Sequence, residues 1–296
     1  MKSFKFKQAI NYSGYRENQS PFTKTYPSKK QILEDLLLLE GEFYYLRIYD
    51  CSPHAYRTLE VIEENNLDFK VMLGLYLSPE ENHINHPFFY VHEEKVLLAS
   101  IEKNNDKVKE LLALYEKYEN IVSAISIGNE TRSIWNNSRV SIDTLVNVTK
   151  TIKENTDCLV TFCEEYQTWI EELEPLAKEV DFISLHTYPA WQGCKIEEGL
   201  EVAVKNFNQV QNKYPDKYCI ITETGWPTNT HGARIKKEDA NIENQKIFNS
   251  QITKWGQENN TLIYLFEAFD EPWKGENNPE EPEKNWGIYT VGRKRK

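Results

Sequence analysis

Two glutamates stand at the ends of apolar runs that pass into turn-forming residues. Glu130 ends the run I-S-I-G-N-E, and Glu223 stands in the run I-I-T-E-T-G-W-P-T. One such glutamate is usually a solvated surface residue, but a pair of them indicates chemistry. Cleavage of a glycosidic bond needs two carboxyl groups that face each other across the bond. One must be protonated to expel the leaving group, and the other must stay ionised to attack or to steer water.

The elements that would position these glutamates alternate regularly along the chain. Short β-rich apolar runs are followed by loops and then by amphipathic segments with helical spacing, such as residues 29–39, 106–118 and 241–257. This alternation predicts parallel βα units, and eight of them predict a single closed (β/α)8 TIM barrel over residues 1–296. The predicted strands are residues 9–13, 44–49, 70–76, 122–128, 158–163, 182–186, 218–222 and 262–267.

The barrel also places both glutamates at one mouth. Glu130 closes the fourth predicted strand and Glu223 closes the seventh, and barrel enzymes hold their working residues at the C-terminal ends of the strands. An open nucleotide-binding sheet is the alternative fold. The sequence lacks both the G-x-G-x-x-G and the G-x-x-x-x-G-K motif of such sheets, which favours the barrel.

Composition argues against several other functions. The net charge of −11 would repel phosphate backbones, so nucleic acid is not an expected partner. The 7 Trp and 17 Tyr supply flat rings that can stack on sugar faces. The five cysteines are odd in number and form no C-x-x-C motif, so neither a disulfide framework nor a zinc site is indicated. No apolar run is long enough to span a membrane, and the N-terminus does not resemble a signal peptide.

The segment T-E-T-G-W-P-T at 222–228 resembles the nucleophile motif of family 17 glycoside hydrolases, which act mainly on β-1,3-glucans. An Asn-Glu pair closing strand four and a Glu closing strand seven are typical of the wider clan of retaining barrel glycosidases. Weaker matches follow in the family's order over nearly the whole chain. They are I-N-Y-S-G-Y-R-E-N-Q-S-P at 10–21, L-R-I-Y-D at 46–50, S-L-H-T-Y-P-A-W at 184–191, F-D-E-P-W-K-G at 269–275 and E-K-N-W-G-I-Y at 283–289. Thr230 departs from the family pattern, which often has a small residue such as Gly there.

The resemblance implies that Glu130 is the general acid/base and Glu223 the nucleophile. In a retaining enzyme the two carboxyl groups lie roughly 5–5.5 Å apart. Such closeness disfavours double ionisation, so we expect the pKa of Glu130 to be raised. We expect Arg47 to keep Glu223 ionised, because a nearby cation stabilises the carboxylate.

The resemblance also suggests substrate-binding residues around this pair. Asn129 would donate to the sugar 2-hydroxyl, Tyr188 could donate to Glu223, and Tyr12 could form a subsite wall. Trp191 and Trp226 are the preferred stacking platforms. Glu271, Lys274 and, more weakly, Glu283 match polar positions near the strand-eight loop, while His186 is expected at the cleft floor and Glu267 has no assigned role.

Three alternatives remain open at this stage. The same carboxylate pair would serve a β-1,3-glucanosyltransferase, a retaining enzyme for another polymer such as a β-1,4-glucan or mannan, or a non-catalytic glucan-binding protein. No cofactor or metal is expected, and His83 and His86 lack a third ligand at a recognised spacing. We expect a monomer that binds β-glucan. By resemblance it would be secreted, periplasmic or at the cell surface, and a cytoplasmic location stays open because no signal peptide is evident.

Overall fold

The computed structural model describes residues 4–83, 91–275 and 277–296. Its eight parallel strands pair in chain order, and β1 also pairs with β8, so the sheet closes into a barrel. The predicted (β/α)8 barrel is therefore confirmed. The strands are β1 (Ala9–Asn11), β2 (Tyr45–Ile48), β3 (Lys70–Gly74), β4 (Val122–Asn129), β5 (Leu159–Glu165), β6 (Ile183–His186), β7 (Cys219–Thr224) and β8 (Ile263–Leu265).

Helices connect successive strands. They are α1 (Lys29–Leu39), α2 (Pro53–Glu64), α3 (Glu94–Lys117), α4 (Ile142–Asn155), α5 (Tyr166–Glu171), α6 (Glu174–Glu179), α7 (Ile196–Lys213) and α8 (Ile242–Glu258). Helix α1 begins at Ser28, which forms a capping box with Gln31 and thereby satisfies backbone donors at the helix start. None of the helices in the described part of the chain is long and apolar enough to cross a membrane.

Two elements differ from the sequence prediction. The pattern at 106–118 is only the second half of α3, because the first half is polar and carries several exposed apolar residues, which weakens its periodicity. No α-helix follows β8 within residues 266–275 and 277–296, where the only helix is a short 3₁₀ turn at Pro282–Lys284. Residues 84–90, part of the long connection between β3 and α3, and with them His86, lie outside the described residues.

The barrel interior is apolar at its N-terminal end and polar at its C-terminal end. Met72, Ala124, Phe182 and Tyr264 belong to one buried cluster inside the sheet, and Phe4 closes it from below with its ring centroid 5.1 Å from that of Phe182. The apolar packing at the N-terminal end therefore supports the charged residues at the C-terminal end of the barrel interior.

The C-terminal tail takes the place of a helix after β8. Arg293 donates from Nε and Nη2 to Asp35 of α1, at 2.7 Å each, and from Nη2 to the carbonyl of Gly14 at 2.8 Å. Arg16 also bonds Asp35, at 3.0 Å, and the Tyr12 hydroxyl donates to it at 3.3 Å. The tail and the loop after β1 are therefore tied to α1 through one buried carboxylate.

We expect Asp35→Asn to lower the free energy of unfolding by about 3 kcal/mol, because it leaves a largely buried guanidinium without its counter-charge. Glu42→Gln is the matched control, since Glu42 pairs with the half-exposed Arg295 and its loss should cost at most about 1 kcal/mol. Urea unfolding of both variants measures the difference. An equal decrease in the free energy of unfolding in the two variants would contradict the role of Asp35 in tying the tail to α1.

Candidate active site

Glu130 and Glu223 meet at the C-terminal mouth of the barrel. One oxygen of each carboxylate and one ring nitrogen of His186 all lie within 4.8 Å of one another. Glu223 lies on β7 and is 5% exposed, whereas Glu130 follows β4 and is half-buried. The predicted pair is therefore brought together by strands on two sides of the barrel, and a sugar could reach both carboxyl groups from the mouth.

Three side chains donate to Glu223. Arg47 Nη1 lies 2.5 Å and the Tyr49 hydroxyl 3.1 Å from Oε1, and the Tyr188 hydroxyl lies 2.5 Å from Oε2. Burial alone would raise the pKa of Glu223, but the charges of His186 and Arg47 and these hydrogen bonds outweigh it and lower the pKa to about 2. Glu223 is therefore a stable anion at neutral pH, as a nucleophile requires.

Arg47 is fixed from behind by two asparagines. Its Nη1 donates to Asn11 Oδ1 at 3.1 Å, and its Nη2 donates to Asn129 Oδ1. The amide of Asn11 in turn donates to the carbonyls of Thr222, at 3.0 Å, and Leu265, at 3.2 Å. Arg47 is only 1% exposed, so it acts through Glu223, and its predicted place among the substrate-binding residues needs correction.

His186 stands between the two carboxylates. Its Nδ1 lies 2.7 Å from Glu130 and 3.5 Å from Glu223. Burial alone would lower the pKa of His186, but the Glu223 carboxylate, Cys163 and Glu130 outweigh burial and raise it to about 10. An imidazolium therefore links the two acids, so the floor position predicted for His186 is found, with a contact to both glutamates.

Buried Glu164 shapes the turn that carries Glu130. Its carboxylate accepts the backbone N–H of Arg132 at 2.8 Å and of Glu165 at 2.9 Å, and the Ser133 hydroxyl at 2.5 Å. Burial and nearby Glu130 raise the pKa of Glu164 to about 7. Glu130 itself has φ of 50°, a left-handed conformation that costs a non-glycine residue free energy and must be held by its surroundings.

The mouth opens into a cleft of about 1210 Å³. This exceeds the roughly 300–1,000 Å³ of a typical small-molecule pocket and leaves room for an oligomeric ligand. Its lining contains both aromatic rings and polar groups, which are the groups that sugar recognition uses. The aromatic residues that line it include Tyr15, Phe22, Tyr26, Tyr49, Trp135, Tyr166, Tyr188, Trp191 and Trp273.

The aromatic predictions divide into one that stands and two that need correction. Trp191 is half-buried and lines the cleft. Trp226 is wrong as a stacking platform, because its ring is 0% exposed, packs on Phe248 and donates from Nε1 to the carbonyl of Asp239. Tyr12 borders the cleft, but its side chain is 0% exposed and its hydroxyl donates to Asp35, so it offers no open ring face.

Glu271 and Lys274 form a charged cluster with Glu267 beside the cleft. Lys274 Nζ lies 2.9 Å from Glu267 and 2.5 Å from Glu271, and both carboxyl groups are at most 1% exposed. Burial and the neighbouring Glu271 raise the pKa of Glu267 well above its usual value, so this cluster retains a proton. Glu271 and Lys274 both line the cleft, and their contact with substrate stays a prediction.

Several residues of the site had no role in the sequence prediction. Tyr49 donates to Glu223 and stands two residues after Arg47 in the quoted segment 46–50. Asn11 accepts from Arg47 and stands just before Tyr12 in the quoted segment 10–21. A polar residue inside an otherwise apolar strand was the available signal for Asn11. Glu165 lines the cleft, and burial together with Glu130 and Glu164 raises its pKa to about 9.

The three side chains at the centre of the mouth also resemble a set of metal ligands. Within the described ranges, Glu130, His186 and Glu223 present three ligand atoms close together. Glu223, however, already accepts three strong donors, and His186 is protonated at neutral pH, whereas a metal ligand must be neutral imidazole. These residues fit two-carboxylate chemistry better than a metal centre.

A barrel with paired carboxylates at its C-terminal mouth is typical of retaining glycoside hydrolases. Comparison with known proteins agrees: the model of the BtgE/BtgC glycoside hydrolase domain matches residues 9–287. This match spans nearly the whole described chain. The chain therefore belongs to the BtgE/BtgC glycoside hydrolase domain family.

Curated relatives carry glucanase names. A glucan 1,3-β-glucosidase of Arthroderma benhamiae is 25% identical over 280 residues, which are 89% of this chain and 82% of that protein. A probable glucan endo-1,3-β-glucosidase, btgC, of Aspergillus flavus is 25% identical over 304 residues, which are 94% of this chain and 41% of that protein. The chain thus spans about two fifths of the Aspergillus relative.

Solved structures share the fold. An endo-laminarinase from Formosa superposes with a TM-score of 0.81 at 24% identity, covering 96% of this chain and 83% of the other. A family 17 β-1,3-glucanosyltransferase from Rhizomucor miehei superposes with a TM-score of 0.76 at 21% identity, covering 98% of this chain and 95% of the other.

We expect His186→Asn to move the acidic limb of the kcat/KM profile to higher pH by about one unit or more. The pKa of Glu223 is low partly because the imidazolium is close, so removing that charge raises the pKa and Glu223 is protonated earlier as pH falls. Initial rates between pH 3 and pH 9 measure the shift.

The control is His231→Asn, which removes a histidine 3.3 Å from Glu281 and outside the cleft lining. Its profile should match the wild type. A uniform loss of activity at every pH in His186→Asn would show a purely structural role and contradict the electrostatic one.

Proposed function

We propose that this chain hydrolyses β-1,3-glucan with retention of configuration, with Glu223 as nucleophile and Glu130 as general acid/base. The observation that carries the proposal is the short separation of the two carboxyl groups, with Glu223 held ionised by Arg47, Tyr49 and Tyr188. A gap of this size suits a covalent intermediate. The inverting route needs roughly 6.5–9.5 Å to seat a water between the carboxyl groups.

The reaction proceeds in two displacements. Glu223 forms a bond to the anomeric carbon while the bond from that carbon to the glycosidic oxygen breaks, and Glu130 gives its proton to the departing oxygen. Glu130, now ionised, then takes a proton from water as the water oxygen attacks the anomeric carbon and releases Glu223. Asn129 accepts a hydrogen bond from Arg47 and precedes Glu130 in the chain, and its proposed partner is the sugar 2-hydroxyl.

Support for the substrate comes from the relatives and from the cleft. The relatives named above carry 1,3-β-glucosidase names, and the cleft is large and lined by many aromatic residues. One chain supplies both carboxyl groups and the lining around them, so a monomer suffices for the reaction. We place its action outside the cytoplasm, where polymeric glucan is met.

Transfer to a sugar acceptor is the second candidate function. The glycosyl-enzyme intermediate accepts any hydroxyl that is held in place of water. Trp135, on the loop after β4, is 48% exposed and lies on the same side of the cleft as Glu130, together with Tyr166 at the end of β5. These rings offer faces on which an acceptor sugar could stack.

Product analysis tests the reaction type. We expect the wild type to convert a linear laminari-oligosaccharide into shorter sugars, and Glu223→Gln to lose about 10⁴-fold or more of kcat while still binding sugar. Longer products would establish transfer. Sugar binding without any product from laminarin, β-1,4-glucan or mannan would contradict the enzyme proposal and favour a binding protein.

A second experiment assigns the two carboxyl roles. We expect Glu130→Ala to retain its first step on a dinitrophenyl glycoside, because a good leaving group needs no proton, and added azide should then release a β-glycosyl azide. Glu223→Ala should release no product from the dinitrophenyl glycoside or from a laminari-oligosaccharide. Equal activity of the two variants on the activated glycoside would contradict the assignment.

A further inference from the structure

Phe22 is held in an exposed position by the loop after β1. It is 81% exposed, more than any other large hydrophobic side chain in the described part of the chain, and it lines the cleft. Exposure of a phenylalanine forfeits the free energy that its burial would give. Phe22 contacts Trp273, which also lines the cleft, so the two rings form an apolar patch that suits a ligand with an apolar face.

The loop around Phe22 is built to present it. The Ser20 hydroxyl accepts the backbone N–H of Thr23 at 3.0 Å, and the Ser20 carbonyl accepts that of Thr25 at 3.2 Å. The carbonyl of Pro21 accepts the backbone N–H of Lys24 at 3.3 Å. These bonds close a tight turn with Phe22 at its tip, so the ring is displayed by a fixed backbone.

Trp273 supports Phe22 from the neighbouring loop after β8. The two ring centroids are 5.4 Å apart with an interplanar angle of 77°, an edge-to-face contact. Trp273 is itself fixed, because its Nε1 donates to Glu271 at 2.9 Å and Tyr15 packs against it with ring centroids 5.9 Å apart. Phe22, Trp273 and Tyr15 thus form a rigid aromatic strip along one wall of the cleft.

The strip lies across the barrel mouth from the turn that holds Glu130. Phe22 and Tyr15 follow β1, and Trp273 follows β8, which pairs with β1. In the closed strand order, β1 and β8 stand opposite β4 and β5, whose ends carry Glu130, Glu165 and Tyr166. A ligand that touched both sides would have to cross the whole mouth, which a single sugar cannot do.

From these contacts we propose that Phe22 and Trp273 form a distal subsite that stacks a glucose unit of a long glucan chain, remote from the bond that is cut. This inference rests on the proposed glucanase function and adds chain-length selectivity to it. The subsite gives additional binding energy to substrates that reach from the aromatic strip to Glu130. It therefore favours attack within long chains over removal of single units from short ones.

The test compares two substrate lengths. We expect Phe22→Ala to lower kcat/KM for laminarihexaose about three- to tenfold, the range of one aromatic stacking contact, and to leave laminaritriose unchanged. Phe22→Trp should restore the hexaose value, because it returns a flat ring to the same turn. Leu98→Ala is the matched control, since Leu98 is 60% exposed on α3 and outside the cleft lining.

Binding separates this inference from the proposed function. Titration of Glu223→Gln with laminarihexaose, with and without Phe22→Ala, reports the subsite without turnover, and the affinity should fall by the same factor. If the wild type makes no product but hexaose affinity still depends on Phe22, the enzyme proposal fails and the subsite stands. Equal effects on both sugar lengths, no effect on either, or a changed oligomeric state in Phe22→Ala would overturn the subsite.

Discussion

The site depends on one buried ion pair, Arg47 with Glu223. Taking both charges out of water costs several kcal/mol per ion, and only good geometry with further hydrogen bonds offsets that cost. The barrel supplies these bonds from four strands or their ends: Asn11 from β1, Tyr49 after β2, Asn129 from β4 and Tyr188 after β6. Closure of the sheet is therefore required for chemistry as well as for folding, because an open sheet would not bring these strands around one carboxylate.

Around that pair the mouth contains more carboxyl groups than cations. Some of these carboxyl groups have raised pKa values and so tend to keep their protons. The cations Arg47 and protonated His186 face the ionised Glu223 and lower its pKa. Burial and neighbouring carboxylates raise the pKa of Glu165 to about 9 and that of Glu283 to about 7. The environment thus separates carboxyl groups of one residue type into an anion and proton carriers.

Sequence predicts the strands well and predicts that Glu130 and Glu223 meet at one mouth, because both depend on local pattern and on the position of strand ends. It predicts Trp191 but misplaces Trp226, since a tryptophan two residues beyond β7 can turn to either side of the sheet and only tertiary packing decides which. The roles of Asn11 and Glu164 are also out of reach, because each bonds residues far away in the chain. The contact of Arg293 with Asp35, 258 positions apart, is likewise one that no local pattern could predict.

Function in this barrel therefore resides in two layers that can change separately. The floor consists of strand residues and contains the buried ion pair of Arg47 with Glu223, which the proposed chemistry needs. Replacing one partner of such a pair leaves the other charge buried and unpaired. The walls, built on loops after β1, β8, β4 and β5, present aromatic faces at opposite ends of the cleft. A loop change there alters only what stacks, at a cost of order 1 kcal/mol per ring. Selectivity for chain length, and the choice between water and a sugar acceptor, can accordingly change through the loops while the floor stays the same.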